Sequence, residues 1–126
     1  MRHELSVSLV VKNGAGKIRE CLDRLVGLAD EIIVVDTGST DGTIDEARKF
    51  KKSARIPVII DAVGSAFSDD DGNFDFGKAK NYGYSLATKE YAMWVDVNDM
   101  LTNPIEVRNK FDKATSKYPA VNIVMF

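Results

Sequence analysis

The chain has 126 residues, 44 % of them hydrophobic and 29 % charged, with 17 basic and 19 acidic side chains and a net charge of −2. That is the size of one domain, long enough to bury roughly 65–70 % of its unfolded surface. The balanced charge offers no field for nucleic acid or an anionic membrane, and one cysteine with one histidine excludes an internal disulfide and a Cys/His metal site. No apolar run reaches membrane-span length and Met1-Arg-His-Glu4 does not start a secretory signal, so the expected compartment is cytoplasmic.

In chain order, Leu5 to Val11 reads as the first strand, broken by Asn13-Gly-Ala-Gly16. Ile18, Cys21, Leu22, Leu25 and Val26 recur at helical spacing, which predicts an amphipathic helix from Lys17 to Gly27 with Cys21 on its core face. Ile32 to Val35 is a continuous β-branched run ending in Asp36, the pattern of a strand buried on both faces. Gly38 and Gly42 punctuate a hydroxyl-rich turn, and Thr40 or Asp41 is placed to cap a helix to about Lys52. Ile56 to Asp61 reads as a third strand, its Pro57 suiting a strand start or an edge. The long irregular stretch Ala62 to Asp75 is of the length that is usually functional or mobile.

A third helix follows, with Phe76, Ala79, Gly83, Leu86 and Ala87 on one face. Its early Lys78 and Lys80 oppose the helix dipole, a cost that a bound anion would remove. Tyr91 to Val97 is the fourth strand, followed by Asn98 and Asp99. Asn103-Pro104-Ile105-Glu106 carries the signals of a helix start, continuing to about Lys117. Ala120 to Phe126 reads as a fifth strand in which the chain stops. Alternating strands and helices predict a three-layer α/β/α domain with a mostly parallel sheet over residues 1–126. Ending in a hydrophobic strand points to the front half of a larger fold, or a minimal version of one.

In open α/β sheets ligands bind at the carboxyl ends of the strands, so Asp36, Thr37 and the Asp96-Val-Asn-Asp99 stretch are candidate site residues. The latter offers oxygen ligands for a hard divalent cation; its competing reading is a strand end that arranges the next helix. Gly14-Ala-Gly16-Lys17 fails both phosphate-loop patterns: Lys17 is followed by Ile18, and Arg19 stands where a dinucleotide fingerprint needs a small residue. Asp69 to Asn73 resembles a calcium loop in composition only, since Phe74 and Lys80 occupy its required glycine and acid positions.

The ordered segments SLVVKN, DEIIVVDTGSTDGT, FDFGKAKN and MWVDVND resemble the nucleotide-sugar-binding half of family-two glycosyltransferases, inverting enzymes of the Rossmann-like GT-A fold. The resemblance covers nearly the whole chain and is nearest to the subgroup with the VDTGSTD motif. It implies a donor site for a nucleoside-diphosphate sugar, UDP-linked, built from Val10, Val11, Asn13, Asp36, Thr37, Ser39, Lys80, Asn81, Asp96 and Val97. It also implies Mg²⁺ or Mn²⁺ at Asp96, Asn98 and Asp99. Three positions depart from the subgroup. Asn98 replaces the usual second Asp, Lys80 replaces Arg and so loses bidentate phosphate geometry, and Gly14 replaces Glu. The family's catalytic base and much of its acceptor site lie in a second half that follows the matched motifs, so no catalytic residue is assigned. Two further functions compete: a non-catalytic nucleotide or sugar-nucleotide binding module, and a sugar nucleotidyltransferase, whose Gly-rich signature Asn13 to Lys17 matches poorly. A missing second half would leave apolar surface near Ala120 to Phe126 and favour self-association.

Overall fold

A computed structural model describes residues 3–98 and 103–117. Its elements are β1 (Leu5–Val11), α1 (Ala15–Leu25), β2 (Glu31–Asp36), α2 (Thr43–Ser53), β3 (Val58–Ala62), α3 (Phe76–Leu86), β4 (Tyr91–Asp96) and α4 (Pro104–Lys117). The four strands form one sheet in the order β3-β2-β1-β4, and every pairing is parallel. The expected fifth strand, Ala120 to Phe126, lies outside the described residues.

Side chains alternate across the sheet as a pleated backbone requires. Leu5, Val7, Leu9 and Val11 of β1 pack with Ile32, Val34, Met93 and Val95 against Ile18, Leu22 and Leu25 of α1, Ala47 and Phe50 of α2 and Phe111 of α4. On the other face Val10, Ile33 and Val35 meet Ala79 and Leu86 of α3. The three layers are therefore α1, α2 and α4, then the sheet, then α3. Both faces of β1 and β2 are covered, which is why every residue of both is buried and the β2 run Ile32 to Val35 is continuous. Each such side chain fully withdrawn from water contributes about 1.5–3 kcal/mol. Cys21, 3 % exposed, belongs to the larger core.

The α3 layer sits unusually close to the sheet because Gly83 has no side chain. A Cβ there would lie 2.2 Å from Ser8 Oγ. At the far end of α3's face, the Tyr82 hydroxyl donates to Asp61 of β3, and that bond raises the phenol's pKa. On the opposite face the buried Arg108 guanidinium ties α4 to the sheet's amino end. It donates to the carbonyls of Leu28 (2.9 Å) and His3 (2.7 Å) and to the carboxylates of Asp30 (2.8 Å) and Asp112 (2.9 Å).

Several boundaries differ from the sequence expectation. Helix α1 begins two residues early, because the Gly14 carbonyl accepts from both Lys17 and Ile18 N–H groups. Strand β3 begins at Val58, with the preceding Pro57 carbonyl accepting from Ile32. Thr40 does not cap α2. Nor is Asp41 the N-cap, which is Gly42; Asp41, two residues before the helix, accepts from the Thr43 N–H at 3.0 Å, while the Thr40 N–H turns to Asn13. The α4 start is as the sequence predicts: Asn103 accepts from the Glu106 N–H (3.1 Å) and its amide donates back to the Glu106 carboxylate (3.1 Å). No described helix is long and apolar enough to cross a membrane.

Candidate functional site

The sheet register brings the two strand-end carboxylates to one edge. Val11 pairs with Asp36, and Val10 pairs with Asp96, so the carboxylates flank the end of β1. By the same alternation Asp36 lies on the α1–α2 side with Val11, and Asp96 on the α3 side with Val10.

Asp36 is only 1 % exposed. Its Oδ1 accepts the N–H groups of Gly38 (3.0 Å) and Ser39 (2.8 Å), closing the turn after β2. Its Oδ2 is buried with no hydrogen-bond partner among the described residues. Buried carboxylate oxygens are normally satisfied, so Oδ2 is an unmatched acceptor at this edge.

The loops after β1 and β2 are laced together beside it. Thr37 donates to the Val11 carbonyl through its N–H (3.0 Å) and its hydroxyl (3.3 Å). Asn13 takes a left-handed conformation with φ 53°. Its Oδ1 accepts the Thr40 N–H at 2.8 Å and its own N–H donates to Ser39 Oγ at 2.8 Å, which offsets the strain. Beneath this, Asp41 also accepts the Ala15 N–H at 3.2 Å and the Thr43 hydroxyl, and Thr43 Oγ1 accepts the Gly14 N–H at 2.9 Å. The bond from the Thr43 hydroxyl leads the interactions that hold the Asp41 carboxyl below its usual range. Asn13, Asp36, Thr37 and Ser39 thus come together as one rigid rim.

The valines serve differently. Val10, Val11 and Val97 have their side chains in the core, so they shape the floor under the rim rather than line it. Lys80 lies half-buried on α3, its ammonium 5.3 Å from the centre of the Trp94 ring, a cation–π distance, two residues before Asp96. Asn81 is exposed on α3, with no hydrogen bond to the edge among the described residues. The structure brings Lys80 toward the site and leaves Asn81 outside it.

At the end of β4 the structure adds a residue that sequence reasoning set aside. Lys17 Nζ donates to Asn98 Oδ1 at 2.9 Å. Asn98 in turn donates to Asp96 Oδ1 from its backbone (2.9 Å) and from its amide (3.2 Å). The sequence signal for it is a lysine in the first turn after a strand–glycine break, within the Gly14-Ala-Gly16-Lys17 stretch that fails the phosphate-loop patterns.

Two of the three side-chain oxygens of Asp96 and Asn98 are engaged within the chain rather than held open for a divalent cation. The Asn98 oxygen already holds an ammonium, and Asp96 Oδ1 holds two N–H donors. Among the described residues no three His, Cys, Asp or Glu side chains are grouped to hold a metal. Asp99, the third implied ligand, lies outside the described residues.

The long β3–α3 segment forms a cavity of about 510 Å³, walled in part by Phe67, Asp69, Phe74, Phe76 and Lys78. Asp69 closes the loop upon itself by accepting from Asn73 N–H (2.8 Å) and Asp71 N–H (2.9 Å), and the Asn73 bond leads those that lower its pKa. Those oxygens serve the turn. Phe76 packs edge-on against Trp94 at 5.1 Å, joining the cavity wall to β4.

An all-parallel α/β/α sheet with carboxylates, hydroxyls and lysines gathered at its carboxyl edge defines a ligand-binding domain of the Rossmann-like class. The chain belongs to glycosyl transferase family 2, whose model matches residues 6–105. It is 28 % identical over 131 residues to the poly(ribitol-phosphate) beta-glucosyltransferase of Bacillus spizizenii, covering 94 % of this chain and 20 % of that protein. It is 27 % identical over 112 residues to a TPR repeat-containing protein of Synechococcus elongatus, covering 87 % of this chain and 25 % of that protein. The chain therefore spans a quarter or less of these relatives. Among solved structures it resembles S. aureus TarS residues 1–349, with a TM-score of 0.71, 23 % identity, and coverage of 92 % of this chain and 33 % of that one. The same TarS segment in complex with UDP gives a TM-score of 0.70 at 21 % identity, again covering 92 % and 33 %. The GT-A-type fold expected from the sequence is thereby established.

Proposed function

We propose that residues 1–126 are the donor-binding unit of an inverting glycosyltransferase that takes a nucleoside-diphosphate sugar, with UDP as its nucleotide. The observation that carries this reading is the register that sets Asp36 and Asp96 on either side of the β1 end. Carboxylates there accept from the imide and hydroxyl donors of a nucleoside, and the orphaned Oδ2 of Asp36 is an acceptor awaiting such a donor. Lys80 and Lys17, from opposite layers, supply charge for the diphosphate. Thr37, Ser39 and Asn13 hold the rim in shape. UDP bound to the structurally similar TarS segment supports the choice of nucleotide.

For the Mg²⁺ or Mn²⁺ implied by the sequence resemblance, the Asn98 oxygen and one Asp96 oxygen are engaged within the chain, and the proposal uses no metal. The chain's own chemistry is positional. The rim orients the nucleoside, and the ammonium groups place positive charge where the leaving diphosphate develops negative charge. No described residue is assigned to the acceptor or to the base that would deprotonate it.

The test is calorimetric titration of UDP into the 126-residue chain, beside the Asp36→Ala and Asp96→Ala variants. Saturable binding that weakens by roughly tenfold or more in each variant is the expected result, the loss of one charge-assisted hydrogen bond. A folded chain that takes up no UDP at millimolar concentration overturns the proposal. Binding of UDP without consumption of any UDP-sugar, once a longer chain is tested, favours the non-catalytic module instead.

A further inference from the structure

We infer that the Lys17 ammonium, rather than a divalent cation, supplies the charge that holds the donor diphosphate at the end of β4. The inference rests on the donor-binding reading above and deepens it at one position. Three observations carry it. The first is placement. Gly14 lets the first turn of α1 close onto the sheet: a Cβ there would lie 2.9 Å from Val11 and 3.4 Å from Val97, next to Asn98. That approach is what lets Lys17, 81 residues away in sequence, reach Asn98 Oδ1 at 2.9 Å.

The second is the chemistry of the bridge. An amide accepts on one side and donates on the other, and Asn98 does both, taking the Lys17 ammonium and giving to Asp96. A carboxylate at position 98 would face Asp96 with like charge and require a cation between them. With Asn98 the contacting groups, among the described residues, are the Asp96 carboxylate and the Lys17 ammonium, joined through a neutral amide. Asn98, where the family pattern has Asp, thus meets a fixed cation, Lys17, in place of an exchangeable one.

The third is availability. An ammonium carries three donors and Asn98 takes one. Among the described residues no carboxylate forms an ion pair with Lys17, which is exposed at the edge. The helix backbone is less available. The Gly14 and Ala15 N–H groups already donate to Thr43 and Asp41, so the anion contact from α1 is the Lys17 side chain.

The experiment titrates UDP into the 126-residue chain with chelator, with Mg²⁺ and with Mn²⁺, and repeats the titrations with uridine. Variants are Lys17→Met and the double Lys17→Met/Asn98→Asp, each checked for native circular dichroism. The expected result is wild-type affinity for UDP that is the same under all three conditions. Lys17→Met should weaken UDP roughly tenfold to hundredfold and leave uridine unchanged. Recovery of UDP binding in the double variant only when Mn²⁺ is present supports the exchange of one cation for the other. Wild-type affinity that collapses with chelator, or Lys17→Met binding UDP as the wild type does, overturns the inference while leaving the donor site standing. No binding of UDP under any condition overturns the donor-site reading and this inference with it.

Discussion

Replacing Gly83 by Ala tests how the sheet and α3 are joined, and through that join the placement of Lys80. The added Cβ would lie 2.2 Å from Ser8 Oγ, 3.3 Å from Ser8 Cβ and 3.5 Å from Val35 Cγ2. The first distance is more than an ångström inside van der Waals contact. Ser8 is 1 % exposed and its hydroxyl has no hydrogen-bond partner among the described residues, so nothing but this packing fixes its rotamer. If the hydroxyl turns away, the 3.3 Å contact with Ser8 Cβ still stands, and α3 must retreat. Overpacking of this kind costs about 1–3 kcal/mol, and a clash this deep belongs in the upper half of that range. Helix propensity works the other way, favouring Ala over Gly by about 1 kcal/mol. The expected net loss is about 1–2 kcal/mol, which lowers Tm by roughly 3–8 °C in a domain of this size. Urea and thermal unfolding followed by circular dichroism read it directly. Ser8→Ala removes the unpartnered hydroxyl and should restore much of the loss, giving a coupling of about 1 kcal/mol in the double-mutant cycle. A Gly83→Ala variant that is more stable than the wild type would refute the close approach, as would strict additivity with Ser8→Ala.

Two further substitutions probe the end of the sheet away from the site. Arg108→Met removes the donor shared by the Leu28 and His3 carbonyls and breaks the pair with Asp30, so a loss of about 3 kcal/mol or more is expected in urea unfolding. Retention of wild-type stability would mean that the guanidinium network contributes nothing net. Glu31, 2 % exposed, is pushed up by burial, but bonds from Ser6 and Thr88 and the charge of Lys89 outweigh that and hold its pKa below 4.5. A depressed carboxyl contributes stability above its unfolded pKa, and that stability is lost as pH falls through the lower folded value. Glu31→Gln should therefore cost about 1–3 kcal/mol at neutral pH and flatten the acid limb of the stability profile. Parallel acid limbs in wild type and variant would assign the pH dependence to other groups. The UDP titrations of Asp96→Ala and Lys17→Met act on the opposite edge, so their effects on binding should appear without large changes in unfolding, whereas Asp36→Ala also strips the Gly38 and Ser39 N–H groups of their acceptor and should lower stability as well.

The sequence by itself determined the elements and the edge. A continuous β-branched run named β2 as a two-sided strand, the apolar Leu5–Val11 stretch named β1, helical spacing named α1, and the Asn103-Pro104-Glu106 signal placed α4, because each is written within about ten residues of local pattern. Asp36 and Asp96 were legible as site candidates for the same reason: a carboxylate ending a buried strand needs no distant information. Only the tertiary structure decided which groups meet there. Asn81, adjacent to Lys80 in sequence, faces away because one helical step turns it off the sheet. Val10, Val11 and Val97 fell into the core because the pleat gives each a buried face. Most of all, the Lys17–Asn98–Asp96 chain joins the first helix to the last described strand, and it exists because β4 pairs with β1 and Gly14 lets α1 press against Val97. No local window holds that information. Strand order, register and close packing set it, and they are properties of the folded whole.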